Sequence, residues 1–137
     1  MTSRFTILKQ QNLIHIQTSG TIQAHDLIKQ LEHVYEHPSF HPSQDLVVDL
    51  TMAHISGKVT DWRQLMQHAC QVAGLWEGSQ WAFITLQASD QEFLSEVFYR
   101  ADDCPLPMDV FATLDASLRW FDTQPSSLGT PAVHYAD

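Results

Sequence analysis

The sequence predicts an α/β fold: one mixed five-stranded sheet wound as a right-handed βα superhelix, in the order β-β-α-β-α-β-α-β-α. Three observations carry that prediction. The stretch Asp45-Leu46-Val47-Val48-Asp49-Leu50-Thr51 is a short, nearly unbroken apolar run rich in Val and Leu, the mark of a strand buried on both faces. Segments with apolar residues spaced at three and four stand on either side of it, as amphipathic helices do. Two β-rich runs precede the first helical pattern. They read as a hairpin, so only the first strand should run antiparallel, and the later strands should join through right-handed crossovers.

The hairpin pairs Phe5–Leu8 with Leu13–Thr18 across the polar turn Gln10-Gln11-Asn12, and Ser19-Gly20-Thr21 ends it. A helix follows, with Thr21 as its expected N-cap and Ala24, Leu27, Ile28, Leu31, Val34 and Tyr35 as its stripe. His37-Pro38 ends it, because a residue before proline is pushed out of the α region. The loop to Ser43 carries Phe40, which should fold back on the core. After the central strand, Met52–Val59 reads as an irregular loop, and Thr60 or Asp61 is the expected cap of a second helix. Its stripe is Trp62, Leu65, Met66, Ala69, Val72, Ala73 and Trp76, and Gly74 and Gly78 mark its end.

Trp81–Leu86 is the next strand. Ser89-Asp90-Gln91-Glu92 has the form of a capping box for a third helix, carrying Phe93, Leu94, Val97, Phe98 and Ala101. Met108–Ala112 is the last strand. Thr113 caps a final helix with Leu114, Leu118, Trp120 and Phe121 on it.

The length, 137 residues, suits one domain over residues 1–122. Residues 123–137 form a tail rich in Pro, Ser, Gly and Thr, in which Val133 and Tyr135 are the candidate anchors. No apolar run approaches the roughly 18–20 residues of a membrane span. The opening Met1-Thr2-Ser3-Arg4 lacks the apolar core of a secretory signal. The expected location is therefore the cytoplasm, with Cys70 and Cys104 as thiols. Cys70 should pack inside its helix, and Cys104, beside Pro105, should be the more exposed.

Net charge is −9, and residues 77–137 hold ten acids against two bases, Arg100 and Arg119. Nucleic acid is not an expected partner, since phosphate binding wants a basic surface. The acidic half serves solubility or docks a basic protein.

Few residues suggest chemistry. His33-Val34-Tyr35-Glu36-His37 has the HxxEH form of a zinc helix. A zinc site needs a third ligand, and His41 is the nearest candidate. Surface histidines are the plainer reading, and no metal or other cofactor is expected. There is no GxSxG elbow and no glycine-rich phosphate loop. Asp49 could pair with Lys58 or accept loop amides. Trp62, Trp76, Trp81, Phe93 and Phe98 could line an apolar pocket or simply fill the core.

Several stretches together resemble the SpoIIAA-like branch of the STAS superfamily, the sulfate transporter and anti-sigma-factor antagonist domain. They are the hairpin ending at Ser19-Gly20, the loop His37–Pro42, and Leu46–Thr51 with Ile55-Ser56-Gly57 after it. Trp81–Ile84, Val110-Phe111 and Ala116–Phe121 complete the set. The resemblance implies the same β-β-α-β superhelix. It also implies a non-enzymatic regulatory role through protein docking, or capture of a small apolar or amphiphilic ligand between helices and sheet. Phosphorylated antagonists carry a serine before the helix that follows the central strand, in an Asp-Ser-Ser-Gly-like motif. Ser56 is the nearest match, without the preceding Asp-Ser pair. The resemblance thus nominates Asp49, Ser56, Lys58 and Thr60 as a regulatory or docking loop. Exposed apolar helix faces leave room for a homodimer.

Overall fold

The computed structural model describes residues 2–76, 78–99 and 104–123. The strands are β1 (Thr2–Leu8), β2 (Leu13–Ile22), β3 (Asp45–Ile55), β4 (Trp81–Ile84) and β5 (Met108–Phe111). The helices are α1 (Ala24–Tyr35), α2 (Val59–Gln71), α3 (Ala88–Phe98) and α4 (Leu114–Thr123). The sheet order is β1-β2-β3-β4-β5. Only the β1–β2 pair is antiparallel, as the opening hairpin requires. The expected anchors Val133 and Tyr135, with Arg100, Ala101 and the rest of the tail past residue 123, lie outside the described residues.

Two layers cover the sheet. One face holds Ile14, Ile16, Leu46, Val48, Trp81 and Phe83, packed against the stripes of α1, α2 and α3. The other holds Leu13, Val47 and Ile84 under Phe121 of α4. This accounts for the unbroken apolar run in β3, since successive side chains point to opposite faces and both faces are dry there.

The amino ends of the parallel strands are closed by polar bonds. The amide of Asp45 donates to Asn12 O at 3.0 Å, and Asn12 Nδ2 donates to Ser43 O at 3.0 Å. Ser79 Oγ donates to Gln44 O at 2.7 Å, and the Gln80 amide donates to Asp45 Oδ1 at 3.0 Å. Asn12 adopts φ +54°, a left-handed turn that asparagine tolerates better than most residues.

Several boundaries differ from the sequence reading. β2 runs to Ile22, so Thr21 is in a strand and Gln23 caps α1, with its amide donating to Asp26 Oδ2 at 2.9 Å. β3 runs on to Ile55, so most of the expected loop is strand. Lys58 caps α2, and Asp61 reaches back to the Lys58 amide at 2.8 Å, which leaves Thr60 inside the first turn. Gln87 caps α3, and Ser89 lies within it. Thr113 does cap α4, accepting the Ala116 amide at 3.1 Å.

The thiols are the reverse of expectation. Cys70 is exposed and Cys104 is buried, and neither is in a disulfide. Cys70 lies one step round from Ala69, off the buried stripe of α2. Cys104 and Leu106 turn into the main core from their loop.

The core predicts its own sensitivities. Leu46→Ala should lower unfolding free energy by about 2–5 kcal/mol. Met52→Ala, at a site 76% exposed, should change it by no more than about 0.5 kcal/mol. Chemical denaturation of the two variants checks both.

Candidate functional site

The candidate site grows from one irregularity in β3. Gln17 pairs with Asp49, but Ser19 pairs with Met52. Thr18 alone therefore opposes Leu50 and Thr51, which is a β-bulge on β3. A bulge shifts the alternation by one. Before it, Leu46, Val48 and Leu50 face α1–α3; after it, Ala53 and Ile55 pack on that side. Met52 and His54 turn outward and are exposed.

The outward turn creates an open groove of about 360 Å³, lined by Gly20, Thr21, Thr51, Met52, Ala53 and His54. Its floor is the paired tips of β2 and β3, where Gly20 is at φ +80°. Met52 supplies an apolar lip; Thr21, Thr51 and His54 supply polar groups. Such a mixed, shallow lining suits contact with a chain or surface better than enclosure of a small molecule.

Thr51 links the groove to Asp49. Asp49 Oδ1 accepts the Thr51 amide at 3.0 Å and the Thr51 hydroxyl at 2.7 Å. His15 Nε2 lies 3.7 Å from Asp49 Oδ2. On the same face Arg4 Nε donates to Gln17 Oε1 at 3.1 Å. This polar shelf occupies the part of the outer sheet face beyond the Phe121 contact.

The structure separates the residues expected to act together. Asp49 is the fifth of eleven residues in β3, in the middle of the strand. The extended chain places it about 20 Å from the loop after Ile55. Its partners are Thr51 and His15, and pairing with Lys58 is out of reach. Ser56, Lys58 and Thr60 do stay together, in the tight connection to α2. There the Ser56 amide donates to Ile22 O at 2.9 Å, and Trp62 Nε1 donates to Ser56 O at 2.7 Å. Gly57 is at φ +106°, and a Cβ there would meet Asp61 Oδ2 at 3.2 Å. The positive φ favours glycine, and a side chain would also press on the Asp61 carboxylate that caps α2.

The five aromatic residues proposed as pocket walls fall into separate ring contacts. Trp76 meets Trp81 at 5.3 Å, Trp62 meets Phe93 at 6.3 Å, and Phe98 meets Phe83 at 4.9 Å. All but Phe93 are buried in the main core, where Phe93 packs against them. Trp76 also packs edge-on against Tyr35 and Phe40, which is how Phe40 returns to the core.

The HxxEH pattern does not continue as one helix. α1 ends at Tyr35, before His37, so His33 and His37 do not share a helical face. His37 Nδ1 accepts the Ser39 amide at 3.0 Å, and His41 Nδ1 lies 2.8 Å from Ser43 Oγ. Among the described residues no three His, Cys, Asp or Glu side chains gather around one point.

Sequence reasoning missed the titratable groups that burial perturbs. Tyr35 Oη and His68 Nε2 share a hydrogen bond of 3.0 Å between α1 and α2. Burial pushes the Tyr35 phenol up and the His68 imidazole down. Asp45 is pushed up to about 7, first by burial and then by Asp122. The signal for Asp45 was present: an acid opening an otherwise apolar strand.

Trp62→Phe removes the bond to Ser56 O and, at a fully buried position, leaves a void where the larger indole was. It should cost about 2–4 kcal/mol and raise hydrogen exchange in residues 56–58. Unchanged exchange there would show that the loop is held by other means.

No family model matches this sequence, and no curated protein matches it. A structural comparison finds an uncharacterised protein of the DUF3478 family from Shewanella loihica, described as having a SpoIIAA-like fold. The TM-score is 0.56 at 11% identity, covering 87% of this chain and 93% of that one. With so few shared side chains the likeness is one of backbone architecture, and the conclusion it supports is that this protein has a SpoIIAA-like fold.

Proposed function

We propose that this protein is a non-catalytic, STAS-like regulatory domain that binds another protein through the tips of β2 and β3 and the loop to α2. The observation that carries this reading is the bulge in β3, which sends Met52 and His54 away from the core into an open groove. An exposed methionine at a groove lip is an adaptable contact. Lys58 and Thr60, both exposed, extend the surface past the groove, with Ser56 between them and the strand. A net charge of −9 favours a partner that is basic. A second copy of the chain is the homodimeric version of the same surface.

A second reading, a carrier of a small apolar or amphiphilic ligand, is favoured by one observation. Trp81 Nε1 is fully buried and has no hydrogen-bond partner among the described residues. A ligand oxygen would satisfy it, at a place where an unpaired donor costs about 1–3 kcal/mol.

A photo-cross-linking residue at position 52, introduced in cells of the native host, tests the docking reading. It should yield one dominant protein adduct, which disappears when Thr60→Arg is added and survives when Gln71→Arg is added on the far end of α2. An adduct insensitive to Thr60→Arg, or none at all, would contradict the proposed surface.

A further inference from the structure

A different part of the fold carries a conformational device. Asp45 opens β3 on the same face as Val47, two residues on, and pairs with Leu13 of β2. That is the face on which Phe121 sits, between Leu13, Val47 and Ile84. The next residue of α4, Asp122, is close enough to act on the Asp45 carboxyl. The half-buried Asp45 carboxyl thus has one hydrogen-bond partner, the Gln80 amide at 3.0 Å, and it lies beside the apolar seat of Phe121 and within reach of the Asp122 charge.

We propose that α4 is a latch on the outer sheet face, seated while Asp45 is protonated and loosened at its carboxyl end when Asp45 ionises. Release would uncover Leu13, Val47 and Ile84, an apolar surface hidden at lower pH.

The surroundings offer little compensation. From the residue just before β4 comes the Gln80 amide, and from the turn before β2 the Asn12 carbonyl, which accepts the Asp45 amide. On β2 the nearest titratable side chain of this face is His15, whose Nε2 lies 3.7 Å from Asp49 Oδ2. β1 presents Leu8. Lys9, in the turn after β1, is exposed, as are Arg119 and Asp122 on α4 and Asp109 on β5.

The sign follows from linkage. Burial and the Asp122 charge push the Asp45 carboxyl from its ordinary value of 3.8 up to about 7. A group raised on folding supports the closed form fully below its free value. That support falls as pH rises through the covered value. Between pH 6 and pH 8 the opening equilibrium should rise about tenfold.

Hydrogen exchange of the peptide covering residues 114–123, corrected for the intrinsic pH dependence of exchange, reads this directly. Opening should increase about tenfold from pH 6 to pH 8, while α1 amides stay protected to the same degree. Asp45→Asn keeps an acceptor for Gln80 and should abolish the increase; Asp122→Asn should shrink it. Equal behaviour in α1 and α4, or an increase that survives Asp45→Asn, would overturn the latch. Should that variant fail to fold, carbon-detected titration of Asp45 in the native protein decides the matter. A midpoint near 7 supports the proposal, and one near 4 overturns it.

Discussion

The structure depends on β3 being covered on both faces by layers of unequal size. α1, α2 and α3 bury one face of the sheet along its length, with Trp62, Leu65, Leu27 and Leu94 fully excluded from water. The other face has a single helix of ten residues, α4, held chiefly by Phe121. A strand of eleven residues outruns that cover. What the cover misses must be polar, or must be turned aside. Both occur: Asp49, Thr51 and His15 make the uncovered sheet face polar, and the bulge at Leu50-Thr51 redirects the strand beyond it.

The two ends of the sheet consequently differ in character. At the amino ends of the parallel strands, side chains of Asn12, Ser79 and Asp45 bond the backbone of neighbouring loops. Few polar groups are left over there to recruit anything from outside. At the carboxyl ends the Trp62 indole fixes only the short Ser56–Lys58 connection, and the strand tips stand clear. Open α/β sheets commonly place their binding surfaces at these ends, and the exposed Met52 and the groove beside it fit that rule.

Much of the architecture was legible because burial writes itself into spacing. The stripes of α1 and α2 and the run Leu46–Leu50 have periods that only a helix or a doubly covered strand explains. Strand order and direction followed from the hairpin and crossovers. What sequence could not show was the bulge. It leaves no compositional mark, since Leu50-Thr51-Met52 fits a strand end as well as a loop, and the continuation of β3 to Ile55 beyond it sets Asp49 apart from the loop it was expected to serve. Helix caps failed for a related reason: Thr21, Thr60 and Ser89 are good caps by type, but strand length and the reach of Asp26 and Asp61 decided where each helix begins. The last helix misled in part as well. Leu114 and Leu118 remain 39% and 36% exposed, while the small Ser117 is fully buried, because α4 crosses the sheet on its Ser117–Phe121 edge.

Native mass spectrometry of the protein isolated gently from its host tests the central claim that the working surface is external and the core is filled by its own side chains. The account predicts a chain without a bound small molecule, together with a population in complex with a second polypeptide. A stoichiometric amphiphile retained on the folded chain would contradict it, and would place the function inside the layer of aromatic rings between helices and sheet.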